Sequence, residues 1–158
     1  MKNLIITCSI SILLFASCDT NDSNAASAEL KLVTSSNTTG KITYTDLLAA
    51  SPMVKSFTVG SLDSEGISYN SETDAITVAS RTNNRLESYT GIKSALAART
   101  DNLILSLSSV TGEFNNARET AVSGDKVVVT QDQLVSNGLI NKLFVYQKTT
   151  VGFTLLNT

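Results

Sequence analysis

The sequence predicts an all-β fold, and three observations carry that prediction. From residue 29 onward, apolar and polar residues alternate in short runs, each closed by Gly, Asn, Asp, Ser or Thr, as antiparallel strands joined by turns require. No helical period is sustained over a comparable length. Short stretches also recur along the chain at roughly 45 to 55 residues, the spacing of a four-stranded propeller blade. Together these give a partial β-propeller of about three four-stranded blades, with a β-sandwich of the immunoglobulin type as the alternative.

In chain order, strands are predicted at 29–35, 41–47, 54–60, 66–70, 75–80, 85–90, 102–108, 119–123, 126–131, 142–147 and 152–156. The stretch 91–99, with Ala95, Leu96, Ala97 and Ala98, predicts a helical turn. A second short helical turn is predicted at 46–51, stopped ahead of Pro52 because proline disfavours helical geometry in the residue before it. Residues 132–141 read as a long loop carrying four aliphatic residues, Leu134, Val135, Leu139 and Ile140. Loops on one face of a propeller usually form its binding surface, which makes these four the candidate binding loop, with 83–85 on the same face. The plainer reading is that they pack beneath their own loop.

The repeat itself is read by sliding the chain along itself. A shift of 45 residues pairs Val33 with Val78, Ser35 with Ser80, Tyr44 with Tyr89 and Thr45 with Thr90. A third copy sets 76–78 on 127–129 and 86–89 on 143–146. The unit is two strands joined by a polar loop and closed by a tyrosine, so Tyr44, Tyr89 and Tyr146 are expected to pack between blades. About eleven strands make nearly three blades, the first without its leading strand.

Residues 1–28 read differently. Lys2 precedes an apolar run over 4–15, then Ala16, Ser17 and Cys18, after which the sequence turns polar. A dozen apolar residues are too few to cross roughly 30 Å of hydrocarbon, and they fit the core of a signal peptide over 1–17. The Ala16-Ser17-Cys18 sequence resembles the lipobox of bacterial lipoproteins, with Phe15 where Leu is usual. That resemblance implies that Cys18 carries a diacylglycerol and becomes the N-terminus after cleavage. Cys8 would leave with the leader, so the mature chain holds no disulfide. Two or more acyl chains, at about 0.8 kcal/mol per buried methylene, make a stable anchor where one is marginal. Residues 18–28 then form a lipidated, flexible tether, too polar to offset the entropy of ordering. Asp19 and Asp22 behind the cysteine resemble the export signal of Bacteroidetes-type surface lipoproteins. The implied location is the outer membrane, facing the periplasm or the exterior.

Composition narrows the chemistry. The chain carries a net charge of −2, its Lys and Arg are scattered singly, and it has no histidine and no tryptophan. Nucleic-acid binding lacks its basic patch. Without histidine, Ser-His-Asp and Cys-His catalysis and most zinc sites are excluded.

The run Glu65-Gly66-Ile67-Ser68-Tyr69-Asn70, followed by Asp74-Ala75-Ile76-Thr77-Val78-Ala79-Ser80 and Asn83-Asn84-Arg85-Leu86, resembles blades of the NHL, YVTN and SMP-30-like propeller group. The resemblance covers most of 29–158, which forms the repeat domain. In lactonase-like members of that group a glutamate ahead of a blade's first strand ligates calcium or zinc. The resemblance therefore makes Glu65 a candidate metal ligand, with Asn83, Asn84 or Asp125 as companions and Ca2+ as the implied ion. The plainer reading makes Glu65 a solvated turn residue beside a glycine chosen for its backbone freedom.

Three blades do not close a ring, and the strand-like run at 153–158 has no capping tail, so the sequence reads as a truncated arc or a fragment of a longer lipoprotein. The expected function is a lipid-anchored cell-envelope module that binds or scaffolds a protein, a glycan or a small ligand, with no catalytic residue assigned. A metal-dependent hydrolase of the lactonase type is the alternative, and a remnant without function is the third reading.

Overall fold

The computed structural model describes residues 30–135 and 138–158. The predicted leader, Cys18 and the tether lie outside them. Among the described residues the chain forms eleven strands and one helix in three antiparallel sheets. The first sheet is β1 (Lys31–Ser35), β2 (Lys41–Asp46) and β3 (Val54–Thr58). The second is β4 (Ser64–Asn70), β5 (Ala75–Ser80), β6 (Arg85–Thr90) and β7 (Ile104–Ser108). The third is β8 (Ala117–Ser123), β9 (Lys126–Val135), β10 (Gly138–Lys148) and β11 (Phe153–Asn157).

Each sheet is a simple meander in chain order, as a propeller blade is. No strand passes from one sheet to another, as the Greek-key connections of an immunoglobulin-type sandwich require. The sheets also meet in a repeated way. β1 packs on β4 as β5 packs on β8, and the two leading strands β4 and β8 lie against each other. The fold is therefore all-β, its three meander sheets consistent with a partial propeller of about three blades, and every predicted strand is present with its ends moved by a few residues.

Two apolar seams hold the sheets together. In the first, Ile42, Tyr44, Phe57 and Val59 meet Ile76, Val78 and Tyr89, with Ile92 and Ala95 of the helix α1 (Ile92–Ala98). In the second, Ala79 and Leu86 meet Ala117, Val127, Val129, Phe144, Tyr146 and Phe153. Strand residues alternate between faces, so Ile76 and Val78 enter one seam while Ala79 enters the other. β5 is consequently buried at all six positions.

Pairing corrects the repeat. Val33 faces Tyr44 across β1 and β2, but Val78 faces Glu87, not Tyr89. A shift of 44, not 45, carries the Val33–Tyr44 and Ser35–Ile42 pairs onto Thr77–Ser88 and Ala79–Leu86. It also superposes Gly40 on Asn84, both at positive φ. One residue of slip moves every side chain to the opposite face. Tyr44 thus points forward into the second sheet, edge-on to Tyr69 with ring centres 6.2 Å apart. Tyr89 and Tyr146 point back toward the preceding sheet, and their cross-strand partners Ile76 and Val127 match as the sequence predicts.

Two further expectations change. The helix at 92–98 is present, but at 46–51 Asp46 ends β2 and 47–51 forms turns and bends, with the Leu48 N–H donating to Asp46 Oδ1 at 3.1 Å in an Asx turn. The predicted loop at 132–141 is strand: β9 and β10 continue past Gln131, where β8 ends, pairing Asp132 with Asn141, Leu134 with Leu139 and Val135 with Gly138. Its branched aliphatic residues favour the pleated geometry that a loop assignment overlooked.

Bulges repeat with the blades. β4 bulges between Glu65 and Ile67 and β8 between Ala117 and Glu119, while β7 and β11 each bulge opposite the step into Tyr89 and Tyr146. The β4 bulge residue is Gly66, at φ +60°, and a Cβ there would lie 2.7 Å from the Glu119 carbonyl carbon on β8. Gly66 is thus required twice, for its conformation and for the approach of the neighbouring sheet. Gly66→Ala is expected to cost about 2–4 kcal/mol, from left-handed strain plus a backbone clash. Gly124→Ala, at φ +57° with open space around it, should cost only about 1–2 kcal/mol. Urea unfolding of the two variants checks this, and equal losses would show that the β4–β8 approach is slack.

Candidate functional site

A cavity of about 480 Å3 opens at the first seam, where the chain leaving β3 meets the start of β6 and the segment leading into β7. Its polar wall comes from one strand. Arg85, Glu87 and Tyr89 alternate with Leu86 and Ser88 along β6, so the three project to the same side. Val59, Leu103 and Leu105 supply apolar lining beside it.

Glu87 is the centre of this wall, with 1 % of its surface exposed. An unpartnered carboxylate at that depth would cost several kcal/mol. Here both oxygens are served. Oε1 accepts from Asn83 Nδ2 at 2.8 Å and from Arg85 Nε at 2.9 Å, and Oε2 accepts from the Tyr89 hydroxyl. Asn83 is itself positioned by its N–H on Ser80 Oγ at 3.1 Å. The backbone of Gly60 and Ser61, on the chain leaving β3, lies beside the Tyr89 oxygen. Burial, and then the Glu87 carboxylate, push the Tyr89 pKa well above its ordinary value. Tyr146, the counterpart in the third sheet, is pushed up in the same direction by burial and by Glu113.

Arg85 is held by Nε alone. Its two outer nitrogens make no hydrogen bond among the described residues, and the side chain lines the cavity beside Asn102. A guanidinium fixed along one edge and free along the other presents a planar fork that matches a carboxylate.

The residues named from the sequence are dispersed. Asn83 belongs to this wall as a donor to Glu87. Glu65 lies in β4, not in a turn, and its carboxylate accepts from Arg81 Nη1 at 3.1 Å. Arg81 also approaches Asp63 at 3.5 Å and donates to Asn116 Oδ1 at 2.6 Å, and Asn116 donates to Asp132 Oδ1 at 2.7 Å. That chain of charges clamps the second sheet to the third. Asp125 sits in the turn before β9, against Gln147 and Lys126, with its pKa lowered first by the Gln147 hydrogen bond. Asn83 follows β5 whereas Asp125 precedes β9, the counterpart of β5, so the two occupy opposite ends of equivalent strands. Glu65, Asn83 and Asp125 do not come together, and among the described residues no group of three or more Asp, Glu, Cys or His side chains converges. Leu134, Val135, Leu139 and Ile140 fall in the paired ribbon of β9 and β10. Glu87 went unrecognised in the sequence, although its signal is legible: Arg, Glu and Tyr at every second position of a strand share one face.

No family model matches the chain, and neither a curated protein nor a solved structure matches it. Fold and site define it as an all-β, propeller-type module with a preorganised polar wall at an inter-sheet seam.

The tyrosines make stability depend on alkaline pH. Their folded pKa values lie above the unfolded value of about 10, so their contribution is complete below that pH and is lost above it. Stability is expected to fall above about pH 10 by about 1.4 kcal/mol per pH unit for each tyrosine. Tyr89→Phe should remove half of that slope and cost about 1–3 kcal/mol at neutral pH, because Glu87 Oε2 loses its donor. Urea titrations on both sides of that pH give the measurement, and an unchanged slope would contradict the assignment.

Proposed function

We propose that the protein is a binding module of the cell envelope, anchored in the outer membrane by lipid on Cys18, that takes a small carboxylate-bearing ligand such as an acidic sugar in the first-seam cavity. The observation that carries this reading is the free edge of Arg85, oriented by a buried carboxylate and set beside an apolar wall. A few convergent polar groups against apolar lining are the usual composition of small-ligand sites. The cavity volume suits one or two sugar rings. The apolar wall would receive a ring face while the fork holds the acid group. The anchor is supported by the apolar run over 4–15, the Ala16-Ser17-Cys18 sequence and the polar stretch behind it.

Glucuronate and galacturonate are expected to raise the unfolding temperature and glucose to leave it unchanged, since a ligand at a hundredfold its Kd adds about 2.7 kcal/mol to the folded state. Arg85→Gln should abolish that shift, and Arg85→Lys should not restore it, because an ammonium lacks the planar fork. No shift with either uronate at millimolar concentration would overturn the ligand assignment. The anchor is tested separately: Cys18→Ser should release the chain from the membrane fraction and abolish incorporation of labelled palmitate.

A further inference from the structure

We infer that the segment between β2 and β3 is a membrane-contacting surface, which inserts its apolar side chains into the lipid boundary beside the anchor. Four large apolar residues are exposed within eight positions: Leu47 at 44 %, Leu48 at 54 %, Met53 at 78 % and Val54 at 73 %. Scattered exposed apolar residues need no explanation, but a concentration on one short segment does. Local packing does not account for it, since the segment is turn and bend held by the Asp46 contact to Leu48.

The position of the segment names its occupant. The Leu47 N–H donates to the Leu30 carbonyl oxygen at 2.8 Å, so the segment lies against the first described residue of the chain. Leu30 is itself 47 % exposed. From Cys18 to Leu30 the chain spans at most about 40 Å, so a lipid on Cys18 keeps this end of the first sheet within reach of the bilayer. Arg99, at the C-terminal end of α1, lines a groove with Met53, Val54 and Leu96 and makes no ion pair among the described residues. A cation beside apolar side chains fits the boundary between headgroups and acyl chains. Two weak signals acting together then hold the body in one orientation, where the lipid alone would not fix it.

The inference rests on the lipid at Cys18, and its test imposes that anchor chemically so that the two fail in different measurements. In the full chain, Cys8→Ser leaves Cys18 as the sole thiol for coupling to a maleimide lipid in phosphatidylethanolamine–phosphatidylglycerol vesicles. Met53→Trp then introduces the only tryptophan. Its emission is expected to be quenched by brominated acyl chains, and Leu48→Asp in the same chain should restore most of that emission. Leu62→Trp is the control: Leu62 is 59 % exposed and bonds through its carbonyl oxygen to Gly40, at the opposite end of β1 and β2. Its emission should stay unquenched. Unquenched emission from position 53 on the coupled chain, or equal quenching at positions 53 and 62, would overturn the inference, including the case in which another protein covers the segment. Failure of palmitate labelling would count against the anchor alone.

Discussion

Everything in this fold depends on covering both faces of the second sheet. A four-stranded antiparallel sheet with one face in water leaves its central strands to alternate between apolar and polar, yet β5 is buried throughout. Ile76 and Val78 need the first sheet, Ala79 needs the third, and neither seam forms without the other sheet being in register. The seams are unequal. The faces turned back toward a preceding sheet carry the large residues, among them Tyr89, Tyr146 and Phe144, and those turned forward from β5 and β6 carry Ala79 and Leu86. Large against small lets sheets interdigitate at close packing density. The forward face of the first sheet departs from this, carrying Ile42, Tyr44 and Phe57, and Tyr44 finds its room against Tyr69.

Polar groups at the two seams perform different work because their burial differs. Arg81 joins Glu65, Asp63 and Asn116 with about a quarter of its side chain exposed, so water shares its charge and the network acts mainly to fix the second sheet against the third. Glu87 is removed from water, and there each hydrogen bond is obligatory. Tyr89 alone serves Oε2, and Asn83 and Arg85 share Oε1. This is why Glu87 can orient Arg85: the carboxylate has no alternative geometry, and the guanidinium edge it holds is fixed with it.

Much of this was legible in the sequence, and what was not has identifiable causes. Alternation located every strand because each seam enforces a period of two. Register was misread between the first two sheets because Tyr44 and Tyr89 are the same residue type on opposite faces, and identity outweighed pairing. The β9–β10 ribbon was taken for a loop because its strands outrun β8, and a pattern matched to the six-residue β5 has no counterpart for the extra length. Glu65 was separated from its true partner because Arg81 lies sixteen residues away, across a hairpin that a local motif does not span. Glu87 was legible only as the middle of an Arg-x-Glu-x-Tyr alternation. The chain leaving β3 at Val59 and Gly60, which lines the same cavity, is not local to that alternation.

The two proposed surfaces are ordered by the meander itself. Asn83 and Arg85 stand at the start of β6, whereas the exposed segment after β2 leaves from the end of the strand that β6 repeats. In an up-and-down sheet those are opposite ends of equivalent strands. A body seated on lipid through Leu48 and Met53 therefore presents the Arg85 fork away from the bilayer. Had both features grown from the same end, the anionic headgroups of the membrane would compete for the guanidinium that the ligand needs. Strand direction alone separates the two proposed surfaces, so lipid contact at one would make no conflicting demand on the other.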